Sequence, residues 1–129
     1  MDNSSQFSPD RIAAMLLDLP TGLYQSDCRL IDLEAIVREQ AEAVEIAEIN
    51  ASLNAPEGKN AAERDLQRKA TLAKDETVRA TKRELNAAQS NLEHEKANNK
   101  MLSRQFAGLC HLSELKAAQM QLMSKGATR

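Results

Sequence analysis

The residues of this 129-residue chain best suited to metal binding or nucleophilic chemistry are Cys28, Cys110, His94 and His111. Their spacing does not serve either purpose. Cys110 and His111 are neighbours, so on a helix they point about 100° apart and chelate poorly, and the two histidines stand at no ligand spacing from each other. The carboxylates recur at the intervals of a solvated helix face, and the chain has neither a P-loop nor paired glycines. With no nucleophile–base pair, metal set or phosphate cradle, the chain is expected to be no enzyme and to need no metal or cofactor. The cysteines read as small apolar residues kept as thiols in a reducing compartment.

Cations at regular spacing are the other chemistry on offer. Lys96, Lys100 and Arg104 follow one another at steps of four, one face of a helix, about 6 Å apart. Such a row can track a phosphodiester backbone and release its counterions. It can equally be a solvated face that pairs with acids elsewhere in the chain. A second group, Lys59, Arg64, Arg68 and Lys69, is diluted by Asp65 and has the same two readings. The formal net charge of −2 hides the asymmetry behind both. Residues 1–58 carry eleven acids and three bases, whereas residues 59–129 carry eight acids and fourteen bases. The halves can attract each other, or the basic half can attract a polyanion. Aromatic platforms for stacked bases are scarce: Phe7, Tyr24 and Phe106 are the whole set, and Phe106 falls on an apolar seam. Any nucleic-acid binding is therefore expected to be led by the phosphate backbone and indifferent to sequence.

The elements that must position these residues are helices. The apolar content is mostly Ala, Leu, Ile and Met, with no Trp, four Gly and three Pro, a composition that favours long helices with narrow seams. Ser8-Pro9-Asp10 is a helix start, and Ile12, Met15, Leu16 and Leu19 share a face. Leu19-Pro20-Thr21-Gly22 is expected to end this short docking helix, giving an N-terminal segment 1–22. A helix over 23–53 then carries Leu30, Leu33, Val37, Gln40, Val44, Ala47 and Ala51 at alternating steps of three and four, with one polar break at Gln40. Its acids Glu34, Glu39, Glu42, Glu45 and Glu48 take the remaining surface.

Pro56 and Gly58 mark a hairpin tip over 54–59, and Asn60-Ala61-Ala62-Glu63 has the form of a capping box. A third helix is expected over 60–124, with 125–129 as a tail. Val78, Thr81, Leu85, Ala88, Leu92, Glu95, Asn99, Leu102, Phe106 and Leu109 repeat the three–four alternation, interrupted by Glu95 and Asn99. At 1.5 Å per residue this helix reaches roughly 90 Å and the second about half of that. Leu102, Phe106, Leu109 and Leu115 would then outrun their partner, to be covered in part by the docking helix and for the rest by a second copy of the chain, an interface expected to include Leu92. The fold expected is all-α: a long antiparallel, coiled-coil-like hairpin (23–124) with a short N-terminal helix, assembled as a homo-oligomer. The N-terminus lacks an export signal and the longest apolar run, Ile12–Leu17, is too short to span a bilayer, so a cytoplasmic, non-membrane location is expected.

Several stretches carry a resemblance: Gly58-Lys59-Asn60-Ala61-Ala62-Glu63-Arg64, Leu72-Ala73-Lys74-Asp75-Glu76, Lys82-Arg83-Glu84-Leu85 and Asn98 through Phe106. Over roughly Leu30 to Leu115 the chain resembles small helical phage and mobile-element proteins associated with recombination, and its layout is similar to that of the UvsY-type recombination mediators of tailed phages. The resemblance implies a ring-forming homo-oligomer in the host cell cytoplasm that binds single-stranded DNA weakly and without sequence preference. It further implies help in loading a recombinase or annealing protein beside a single-strand-binding protein. It assigns no individual DNA contact. The alternative is a helical protein-interaction module, an assembly scaffold, adaptor or phage inhibitor of a host machine, with no nucleic-acid role.

Overall fold

The computed structural model describes residues 8–55 and 58–127. Within them the chain forms α1 (Pro9–Leu53), α2 (Ala61–Lys74) and α3 (Glu76–Ala127), with no strand among the described residues. The long helices α1 and α3 pack against each other as an all-α hairpin. Phe7, the tip residues Pro56 and Glu57, and the end of the expected tail lie outside the described residues.

The first helix does not stop at Pro20. It starts as expected, with Arg11 N–H donating to Ser8 Oγ at 3.3 Å, but continues through Pro20 and Gly22 for 45 residues. A proline inside a helix removes one N–H and crowds the carbonyl four residues back, at a cost of about 3 kcal/mol. The sequence offsets this with register. Ile12, Leu16, Leu19, Leu23 and Ser26 step by four and three in the same phase as Leu30 and Leu33, and all are buried or half-buried, while Pro20 sits on the exposed side. Tertiary packing of a continuous stripe therefore overrides a local stop signal. The short docking helix expected to end at Leu19–Gly22 is not a separate element.

The expected third helix is two. Asp75 is the joint: its N–H donates to Thr71 O at 3.1 Å, closing α2, while its Oδ1 accepts from Val78 N–H at 2.9 Å and opens α3. An N-cap aspartate does this without Pro or Gly, because its short carboxylate satisfies an orphan helix donor. At the start of α2, Asn60 Oδ1 accepts from Glu63 N–H at 2.8 Å, and Glu63 Oε2 accepts from Lys59 N–H at 3.2 Å. This is the capping arrangement read from the sequence, with the return bond one residue earlier. Gly58 lies so close to this first turn that an added Cβ would stand 2.7 Å from Arg64 N, which explains the glycine.

The chain divides into two compact units: residues 1–29 with 95–129, and residues 30–94. In the second unit Ala47 and Ala51 of α1 bury against Val78 of α3, with Leu72 of α2 packed on the cluster. Ala88 and Leu92 are buried further along α3, and Lys82 Nζ reaches Glu48 Oε1 at 3.3 Å. Small residues let the helix backbones approach closely, so this seam rests on dispersion and apolar burial. Its one polar seam residue on α1, Gln40, is half-buried and its Oε1 accepts no hydrogen bond among the described residues. In the first unit Ile12 and Leu109 are buried and the middle of the seam is polar, as described next.

Candidate functional site

The polar layer of the first unit gathers around Glu95, one of the two polar interruptions of the α3 seam. Ser26 is fully buried, and its Oγ donates to Glu95 Oε1 at 2.6 Å. Arg29 Nη2 stands 3.1 Å from the same oxygen, and Asn98 Nδ2 donates to it at 3.3 Å. Asn99 Nδ2 donates to Ser26 Oγ at 3.1 Å and to Asp27 Oδ1 at 2.7 Å. The donated bonds from Ser26 and Arg29 hold the Glu95 carboxyl below its ordinary range against a smaller opposing desolvation. The layer joins α1 to α3 by groups whose donors and acceptors match in only one alignment, so it fixes how the helices slide against each other. Its outer edge, at Asp27 and Arg29, reaches solvent.

The cations are placed differently from one another. In the first unit Lys100 and Arg104 are exposed and one turn apart, and Lys96 is exposed but engaged with a neighbour. The glutamate row Glu34–Glu48 belongs to the second unit. In that second unit Lys59, Arg64, Arg68 and Lys69 are all exposed on or beside α2. Arg68 and Lys69 rim a shallow cavity of about 260 Å³ with Asp65 and Leu72. No residue of α2 is buried, and Leu66 projects into solvent. Tyr24 is exposed between acids, which disfavours its use as a base-stacking platform, and Phe106 is half-buried in the seam.

The residues expected to await a second copy are divided. Leu92 and Leu109 are buried within the chain itself, and Leu102 and Phe106 are half-buried. The expectation that all but Leu92 outrun their partner is corrected by helix length, since α1 has 45 residues and α3 has 52. Leu115 alone of the five stays exposed. Sequence reasoning missed Ser26 and Asn98; the signal was there, since Ser26 falls on the seam at the three–four spacing and must meet a polar partner if buried. Cys28 is exposed, Cys110 half-buried and both histidines are exposed; among the described residues no group of three or more His, Cys, Asp or Glu is placed to hold a metal. No described helix is long and apolar enough to cross a membrane. No protein-family model, characterised protein or solved structure matches this chain.

Proposed function

We propose that this chain is a homo-oligomeric accessory protein of phage-type recombination that binds single-stranded DNA without sequence preference and assists loading of a recombinase or annealing protein. The observation that carries the reading is α2. This helix has no buried side chain and gives the core only the half-buried Leu72; its remaining offer is the surface it presents, here Arg64, Arg68 and Lys69 in solvent beside Lys59. Phosphate contacts from such residues are individually weak and gain strength by repetition across subunits. Scarce aromatics agree with backbone-led binding.

Fluorescence anisotropy of a labelled single-stranded oligonucleotide at two salt concentrations tests the reading. Binding should weaken steeply with salt. Converting Arg64, Arg68 and Lys69 to glutamine should flatten the log–log slope by about 2, since each single-strand phosphate contact contributes about 0.7. Salt-insensitive binding, or none at low salt, overturns the proposal. A second reading, a helical protein-interaction module without a nucleic-acid role, is favoured by one observation: large apolar residues remain exposed on both long helices, among them Leu17, Tyr24, Leu115 and Leu122.

A further inference from the structure

Six of the exposed large apolar residues fall on two stripes. On α1, Leu17 and Tyr24 stand seven apart and are 77% and 70% exposed, and Ile31, the next step of seven on the same helix, is also exposed. Thr21 and Cys28 fill the intervening places at steps of four and three, and both are exposed. This is a second heptad stripe, out of phase with the packing seam of Leu16, Leu19, Leu23 and Ser26 and turned away from α3. On α3, Met101, Gly108, Leu115 and Leu122 also step by seven and are all exposed, with Leu115 at 51% and Leu122 at 70%. Gly108 leaves open space where a side chain would stand.

Charge decides what covers these stripes. Between residues 14 and 35, α1 carries Asp18, Asp32 and Glu34, all exposed, while Asp27 and Arg29 bond to α3 of the same chain. Between residues 97 and 125, α3 carries exposed Lys100, Arg104 and Lys125 against one acid, Glu114, while Lys116 lines a cavity with α1 of the same chain. A stripe laid on its own copy would bring like charges together; laid on the other helix's stripe it brings opposite ones. The α1 stripe faces away from the α3 of its own chain, so the two cannot meet within one molecule.

We infer that the outer stripe of α1 docks on the outer stripe of α3 of a second copy of this chain. The contact is heterologous: each copy offers one face and receives the other, so the assembly either closes into a ring or continues as a filament. The inference does not rest on nucleic-acid binding. It assigns Arg104 to the subunit contact and leaves the α2 cations for a polyanion.

Two variants of the full chain test it, with circular dichroism to verify helix content and light scattering to read mass. Leu17→Asp/Tyr24→Asp spoils the α1 face, and Leu115→Asp/Leu122→Asp spoils the α3 face; all four positions are solvent-exposed, so folding should survive. The unmodified chain should exceed monomer mass at micromolar concentration. Each variant alone should be a monomer, and a one-to-one mixture should give a dimer and nothing larger, because only one intact pair of faces remains. If charge sets the pairing, Asp18→Lys should weaken assembly at least tenfold and Arg104→Glu on the partner copy should restore it. A monomeric unmodified chain, a variant that alone keeps the unmodified mass, or a mixture that fails to pair overturns the inference. Loss of oligonucleotide binding with assembly intact would instead fault only the proposed function.

Discussion

The two units hold the same pair of helices together by opposite means. Around Ala47, Ala51 and Val78 the seam is small and apolar, and it lies on a stretch of α1 rich in alanine and glutamate that favours helix on its own. Around Ser26 and Glu95 the seam is a hydrogen-bonded polar layer, and the neighbouring stretch of α1 contains Pro20 and Gly22, which oppose helix. One unit is helical by local preference and the other because packing demands it. The difference teaches that stability and alignment are separate tasks in this hairpin: apolar burial supplies the first, and the polar layer supplies the second at the expense of some of the first.

Removing the proline should test this most strongly. Pro20→Ala restores a helix donor and relieves the crowded carbonyl of Leu16, so it should raise stability by about 2–3 kcal/mol, the lower figure allowing for the greater freedom of the unfolded chain. The gain should appear in urea unfolding and as slower hydrogen exchange near residues 16–24; no change would mean that the helix is already broken there in solution. Val78→Ala removes two methyl groups from the most buried apolar side chain and should cost about 2 kcal/mol, seen first as faster exchange in residues 30–94. Equal acceleration in both units would dissolve the distinction between them. Gln40→Leu replaces a seam amide whose carbonyl has no partner and should stabilise by about 1 kcal/mol, whereas Glu95→Leu, which strands Ser26 and Arg29, should destabilise. The same sign for both would show that the two polar seam residues are equivalent.

The pH effect should be the smallest, because Arg29 is half in solvent and its attraction is screened. Glu95 is held below the ordinary 4.5 in the folded chain, so the folded state binds its proton less readily than the unfolded state does. The stabilisation is complete above the unfolded value and is lost as pH falls through the lowered one. Exchange measured across that acidic window should accelerate around residues 26 and 95 and leave the Val78 cluster unchanged. The dependence should vanish in Glu95→Gln.

Much of the fold was legible in the residues. The three–four alternation from Val78 to Leu109 places every listed position on the buried or half-buried side, and the Asn60–Glu63 cap forms. The extent of α1 was misread because Pro20-Thr21-Gly22 speaks for a stop within four residues, whereas the opposing signal, a seam in unbroken phase from Ile12 to Leu33, becomes visible only over three heptads. Asp75 was passed over for the reverse reason: a capping aspartate between two helical stretches looks like any surface acid until the chain turns there. The candidate site was legible as a set of cations and no further. Whether Arg68 or Lys100 meets an acid depends on which helix faces pack together, and composition carries no such information.

The placement of α2 has a consequence for how this chain tolerates change. Ala51 and Val78 share one buried cluster, and the stretch between Leu53 and Asp75 adds the half-buried Leu72 to it. Apart from Leu72, the α2 side chains can be exchanged without touching that cluster. A molecule built this way can revise what it recognises without renegotiating how it folds.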